Sequence, residues 1–149
     1  MDKDPLAFRI FNEIGIISQL SAAIMTRVLP HGLSMAQFGV LNHFVRLGGE
    51  RTPARLAEAF QVTRGAMTNT LTRLEAQGFV SLRADPDDGR GKLVQITDAG
   101  RKAREDALAV LMHEVTKLDG KVDWAKMEEI LPKLEALRKI LDEERFKPD

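Results

Sequence analysis

The amino-acid sequence predicts a mainly α fold in which a single β-hairpin interrupts a series of helices. Apolar residues recur at spacings of three and four along most of the chain, which is the helical period. Residues 79–96 differ, because apolar and polar residues alternate there on both sides of a loop rich in Asp, Gly and Pro. The chain has 149 residues and a hydrophobic fraction of 44%, enough for a folded core. We therefore expect one domain, residues 1–149, with the element order α-α-α-α-β-β-α-α.

Two helices are predicted before residue 50. Residues 6–29 carry apolar side chains on one face, and Pro30-His31-Gly32 ends this first helix. Ser34 is a favourable N-cap for the second helix, with Gln37 as its capping-box partner. Gly48-Gly49 ends the second helix.

The next two helices form a predicted helix-turn-helix. Thr52-Pro53 is a cap followed by a proline at the first helical position, which starts a short helix. Gln61-Val62 leaves only a tight connection before Thr63, which caps a helix running to about Gln77. Gly78 then ends that helix in a left-handed conformation. In a DNA-binding helix-turn-helix, the second helix enters the major groove.

This second helix has an apolar and a polar face. The expected inward residues are Ala66, Met67, Thr70, Leu71 and Leu74. The outward residues suit contacts with phosphates and base edges, since Asn pairs with adenine, Arg with guanine and Gly admits a close backbone. These expected DNA contacts are Thr63, Arg64, Gly65, Thr68, Asn69, Thr72 and Arg73, together with Ser34. The alternative is the solvated polar face of an ordinary helix.

The predicted hairpin has strands at 79–83 and 92–96 and a polar tip. Arg90 and Lys92 lie at this tip, where an arginine is suited to a narrow minor groove. Asp88 is expected to hold the hairpin in shape or to orient Arg90 through an ion pair. The alternative is a surface turn, because Asp-Pro and Asp-Gly pairs are common turn formers.

Two more helices are predicted after the hairpin. Thr97 caps a helix running to about Leu118, and Gly120 breaks the chain. Asp123 caps a last helix whose apolar residues share one face. Pro132 interrupts this pattern, so it is expected to kink the last helix or to mark its effective start.

Charge along the chain is uneven although the net charge is zero. Residues 50–104 carry ten basic and seven acidic side chains, whereas residues 105–149 carry eight basic and twelve acidic ones. Arginine predominates in the basic part, and arginine suits bidentate contacts with guanine and phosphate. A winged helix devoted to protein partners is the alternative, but such a module tends to lose basic residues that are present here, namely Arg64, Arg73, Arg83, Arg90 and Lys92.

Several runs of residues occur in the order typical of one family. They are Leu33-Ser34, Gln37 and Leu41; Leu56-Ala57; Thr68, Leu71, Arg73-Leu74-Glu75 and Gly78; and DPDDGRGKLVQITDAG at 85–100. Together they resemble the MarR family of bacterial regulators. The last run is similar to that family's wing signature, an Asp, any residue and an Arg, then Leu-Thr. Here Ile96-Thr97 replaces Leu-Thr.

The resemblance implies a winged helix-turn-helix regulator that binds double-stranded DNA. Residues 34–100 would form the DNA-binding lobe, and residues 6–29 and 101–145 would form dimerisation helices. It implies a homodimer on a pseudo-palindromic operator, a repressor rather than an activator, and a small aromatic or phenolic effector. The long amphipathic helices at both ends support the dimer independently, because a small winged helix cannot cover so much apolar surface. Candidates for the effector pocket are Phe11, Asn12, His43 and Arg46, each of which has a structural or solvent-facing alternative.

Other function classes lack their residues in this chain. There is no cysteine, and His31, His43 and His113 are too scattered to indicate a metal site. No phosphate-binding glycine loop or nucleophile–base frame is present, so we expect no enzyme and no cofactor. No stretch approaches the length of a membrane span, and no signal-peptide pattern is present. We therefore expect a cytoplasmic protein without a membrane partner.

Overall fold

A computed structural model describes residues 3–145 of the chain, so residues 1–2 and 146–149 of the predicted domain lie outside it. The chain divides into two compact units, Met1–Met112 and His113–Asp149. The prediction of a mainly α fold is confirmed. The elements up to the end of the fifth helix are α1 (Leu6–Val28), α2 (Met35–Leu47), α3 (Pro53–Phe60), α4 (Arg64–Ala76), β1 (Val80–Ala84), β2 (Lys92–Ile96) and α5 (Asp98–Thr116).

Side-chain caps start α2, α3 and α4 at the predicted residues. Ser34 Oγ accepts the backbone N–H of Gln37 at 3.1 Å, and Gln37 Oε1 accepts that of Ser34 at 2.8 Å, which completes the capping box. Thr52 and Thr63 likewise accept the N–H three residues further on. Each cap satisfies a backbone donor that the first helical turn cannot pair.

The hairpin is extended by one residue from the α2–α3 loop. β1 and β2 pair antiparallel from Val80 opposite Ile96 to Ala84 opposite Lys92. On the other edge of β2, the backbone N–H groups of Arg51 and Val94 donate to each other's carbonyls at 3.0 and 2.8 Å. The loop before α3 is therefore tied to the base of the hairpin.

The core of the first unit lies between α2, α3, α4, the hairpin and the start of α5. Its largest fully buried side chains are Phe44, Leu41, Leu56, Leu71, Leu74, Val40 and Val94. Helix α1 contributes no buried residue, and most of its large apolar side chains are exposed, with Ile17 at 62% and Leu20 at 63%. No helix within residues 3–145 is both long and apolar enough to cross a membrane.

A tight junction joins the end of α4 to the start of α5. Gly78 has the predicted left-handed conformation, with φ of 75°. The Thr97 hydroxyl donates to the Gly78 carbonyl at 2.6 Å and accepts the N–H of Gly100 at 3.0 Å. A Cβ on Gly100 would lie 2.0 Å from the carbonyl oxygen of Phe79. Only glycine allows α5 to approach the hairpin this closely.

In the second unit, the predicted last helix is divided at the position of Pro132. The structure has α6 (Trp124–Met127), a 3₁₀ turn (Glu128–Ile130) and α7 (Leu131–Glu144), with Pro132 in the first turn of α7. Pro132 has no N–H, and in a continuous helix its ring would clash with the carbonyl of Glu128. Pro132 is expected either to kink the last helix or to mark its effective start, and in the structure a new helix starts there. Asp123 caps α6 through the backbone N–H of Lys126.

Candidate nucleic-acid interface

Helix α4 is held in the lobe by three buried side chains, Met67, Leu71 and Leu74. Its opposite face is exposed and carries the predicted contacts Arg64, Gly65, Thr68, Asn69, Thr72 and Arg73. Two residues expected to point inward do not follow the prediction: Ala66 is exposed and Thr70 is half-buried. Ala66 lies in the first turn of α4 and Thr70 at its middle. The exposed face is therefore wider than the sequence pattern predicts.

Hydroxyl groups on this face are already oriented by the helix. Thr72 Oγ1 donates to the carbonyl of Thr68 at 2.8 Å, and Thr63 Oγ1 accepts the N–H of Ala66 at 3.1 Å. A capping hydroxyl that accepts one hydrogen bond still has its own proton to donate. Thr63 and Ser34 can therefore cap their helices and donate to a phosphate oxygen at the same time.

Gly65 has no packing reason to be glycine. It lies in the first turn of α4, and a Cβ built there meets nothing within 4 Å. Glycine in a helix is destabilising relative to alanine because its backbone loses more freedom on folding. The structure thus leaves this position open to the close approach of a ligand.

We expect Gly65→Ala to raise the free energy of unfolding by about 0.5–1 kcal/mol, the usual gain in helix propensity. The same change should weaken DNA binding by about tenfold, the scale of one lost contact, because the methyl group occupies the approach path. Urea denaturation and fluorescence anisotropy with labelled duplex measure the two effects. A variant that is more stable and binds DNA as tightly as the wild type would show that Gly65 does not face the duplex.

The hairpin tip is shaped by aspartate side chains that accept backbone donors. Asp88 Oδ1 accepts the N–H of Arg90 at 3.1 Å, and Asp85 Oδ1 accepts the N–H of Asp87 at 2.9 Å. The salt bridges of residues 3–145 do not include one between Asp88 and Arg90. Asp88 thus holds the turn, and the alternative expectation of an ion pair to the arginine is wrong. The Arg90 side chain is exposed, as is that of Lys92.

Arg83 is engaged by an acidic partner that the sequence analysis missed. Its Nε and Nη2 donate to Glu50 Oε1 and Oε2 at 2.9 and 2.6 Å. The hydrogen bonds with Arg83 lower the pKa of Glu50, and the same contact raises the pKa of Arg83. Glu50 precedes Arg51, whose backbone pairs with Val94, and this bridge brings the carboxylate to the hairpin. Sequence patterns reveal a strand through the alternation of several residues. Arg51 pairs with the hairpin as a single residue, so no such pattern predicts its contact.

His43, one of the four residues predicted for an effector pocket, packs within the lobe. Its ring centroid lies 5.4 Å from that of Phe60 and 6.2 Å from that of Phe44. Burial lowers the pKa of His43, and the charges of Arg46 and Arg51 lower it further. On α1, Phe11 is exposed and Asn12 half-buried, whereas Arg46 is exposed on α2. The pocket stays a prediction, and His43 has a clear structural role.

A polar cluster behind α4 also escaped the sequence analysis. Gln77 Nε2 donates to the carbonyl of His31, and Gln37 Nε2 donates to Gln77 Oε1, both at 2.9 Å. His31 Nε2 lies 2.8 Å from Asp106 Oδ2 on α5. The cluster joins the α1–α2 loop, α4 and α5 through side chains distant in sequence. No group of three potential metal ligands occurs within residues 3–145.

Comparisons with known proteins agree with this geometry. The family model described as "MarR family" matches residues 31–91. The multiple antibiotic resistance protein MarR of Escherichia coli K12 is 31% identical over 137 residues, 84% of this chain and 94% of that protein. The transcriptional regulator BldR of Sulfolobus solfataricus superposes with a TM-score of 0.75 at 30% identity, covering 96% of this chain and 99% of that one.

One solved relative includes nucleic acid. A mutant of Escherichia coli MarR complexed with operator DNA superposes with a TM-score of 0.63 at 27% identity, covering 88% of this chain and 99% of that one. The likeness to that structure and to BldR confirms the winged helix fold predicted from the sequence. On the fold, the wing and the identity shared with MarR across most of its length, this chain belongs to the MarR family of transcriptional regulators.

Proposed function

We propose that this chain binds a pseudo-palindromic DNA operator as a homodimer and represses transcription until a small aromatic or phenolic effector releases it. The exposed hydrogen-bonding face of α4, together with the exposed Arg90 at the tip of the hairpin, which is the wing of the proposed DNA-binding lobe, carries the proposal. In residues 3–145 no salt bridge involves Arg64, Arg73 or Arg90. These guanidinium groups are thus available for phosphates and guanine edges. The operator complex of the Escherichia coli relative supports operator DNA as the partner.

The homodimer is supported by the large apolar side chains of α1, most of which are exposed. Exposed apolar faces of this length on a protein in water usually mark an interface. A twofold dimer would present two copies of α4 to successive major grooves, about one helical turn (~10 bp) apart. Release then requires an effector that binds better to a dimer whose two α4 helices do not match that spacing.

The proposal is tested by selecting duplexes from a random double-stranded library with the wild-type protein. We expect an inverted-repeat consensus and salt-sensitive binding to it. The same assay, repeated with phenols and aromatic carboxylates, tests release. No enriched sequence, together with only weak binding at low salt, would instead favour a winged helix that binds protein partners.

We expect Arg90→Ala to weaken binding to the selected duplex by about 10- to 100-fold, which corresponds to roughly 1–3 kcal/mol. The reason is the loss of a guanidinium that would insert into the minor groove, whose negative potential is enhanced where the groove is narrow. Fluorescence anisotropy measures the affinity, and sedimentation checks that assembly is unchanged. Lys3→Ala is the charge-matched control, because it removes one exposed positive charge outside both the DNA-binding lobe and the dimerisation helices and should leave the affinity unchanged. Equal affinities for the Arg90 variant and the wild type would show that the wing does not touch DNA.

A further inference from the structure

The Glu50–Arg83 pair lies on the same hairpin as the proposed wing contacts. Arg83 is opposite Leu93, one pair before the last pair of the hairpin, Ala84 and Lys92. Both side chains are partly exposed, Arg83 at 49% and Glu50 at 31%. The pair therefore lies at the surface of the hairpin, where solvent or a ligand can reach it.

The geometry of the pair is the one that a phosphate would take. Two nearly parallel N–H···O bonds join the guanidinium to two oxygens of one anion, the bidentate arrangement that arginine forms with carboxylates and phosphates alike. The Glu50 carboxylate occupies the edge of the Arg83 guanidinium formed by Nε and Nη2, and it neutralises the charge of that group. A phosphate arriving at the same edge would have to displace the carboxylate and would be repelled by it.

Backbone structure holds the carboxylate in place. Arg51 is paired with Val94 on both its N–H and its carbonyl, and Arg51 Nη1 donates to the Glu50 carbonyl at 2.8 Å. The loop is thus fixed to β2, so Glu50 stays at a high effective concentration beside Arg83. Exposed ion pairs contribute little to folding stability, so removal of the carboxylate should leave the hairpin folded.

We propose that Glu50 limits the affinity of this protein for DNA by occupying, with its carboxylate, the edge of Arg83 that would otherwise bind a phosphate. The proposal rests on the proposed DNA-binding function. The sequence predicts Arg83 as a DNA contact. Under this proposal Arg83 contacts DNA only after its ion pair with Glu50 has broken. Glu50 would thus set the affinity for DNA although it lies outside α4, in the loop between α2 and α3.

The test is a double-mutant cycle on the duplex selected by the wild-type protein, measured by anisotropy across a salt series. We expect Glu50→Gln to tighten binding by about 5-fold at low salt and to steepen the salt dependence by about 0.9 per protomer, the slope of one added phosphate contact. Arg83→Ala alone should change the affinity little. In the double variant Glu50→Gln with Arg83→Ala, the gain should disappear.

Asp87→Asn is the matched control, because it removes one negative charge from the same hairpin without touching Arg83. A general reduction of repulsion would give Asp87→Asn and the double variant the same gain as Glu50→Gln, which would overturn the proposal. So would weaker binding by a Glu50→Gln protein whose circular dichroism and melting temperature are unchanged, since the carboxylate would then be a support for the wing. If the wild type itself selects no duplex, the proposed function fails first and this inference with it.

Discussion

Gly100→Ala is expected to lower the free energy of unfolding by about 3 kcal/mol, near the upper end for overpacked sites. The added methyl group would lie 2.0 Å from the Phe79 carbonyl oxygen and 2.8 Å from Ile96 Cγ1. Neither neighbour can yield easily, because the first is backbone at the start of the hairpin and the second belongs to the core. The start of α5 must therefore move away, which breaks the hydrogen bonds of Thr97. Urea denaturation at one fixed protein concentration measures the change.

Gly65→Ala is the internal control for this result, since it is the same substitution in a first helical turn with open space around it. The two variants should shift the urea midpoint in opposite directions. A Gly100→Ala protein as stable as the wild type would mean that the junction between α4 and α5 relaxes more freely than its contacts indicate.

The largest effect on function is expected from the double change Ile17→Asp with Leu20→Asp on α1. These two side chains are three residues apart on one helical face, and both are more than half exposed. Two carboxylates in an apolar interface would be buried without partners, so the proposed dimer should dissociate. A monomer engages only one half-site, and the loss of the second should weaken operator binding by about 100-fold or more.

Sedimentation velocity and anisotropy measure the two parts of this prediction, and circular dichroism checks that the helix is kept. Gln19→Asp is the control for the effect of a carboxylate on α1 itself, because it introduces one at an exposed polar position of that helix. Persistence of a dimer in the double variant would move the interface away from this face of α1. Tight operator binding by a monomeric double variant would show that the two half-sites need not be bound by two copies of α4.

Local signals explain why much of the fold was predictable. Ser34 with Gln37, Thr52 with Pro53, and Thr63 each combine a cap with the residues that the first helical turn needs, and each cap is present. The hairpin was predictable from alternation on either side of a turn-rich loop. In each case the residues that carry the signal are the ones that make the contacts.

The missed features depend on contacts between distant segments. Glu50 meets Arg83, and Gln77 meets His31, across separations of 33 and 46 residues. Nothing in a local pattern records such pairs. The exposure of Ala66 has the same origin, because periodicity tells which side of a helix is apolar but not how far the neighbouring elements extend. Pro132 was a local signal with two outcomes, a kink or a new start, and only the surrounding structure decides between them.

The junction at Thr97 has a mechanical consequence for α4, the helix that carries most of the expected DNA contacts. It attaches α5 to the C-terminal end of α4, whereas the expected DNA contacts begin at the N-terminal end, near Thr63 and Arg64. Helix α4 has 13 residues and so acts as a lever arm of about 20 Å. A rotation of about 5° at its fixed end would displace the far end by about 2 Å over that length. A displacement of that size is enough to break a hydrogen bond. A slight tilt of α5 would therefore be enough to move Arg64, at the N-terminal end of α4, away from a base edge.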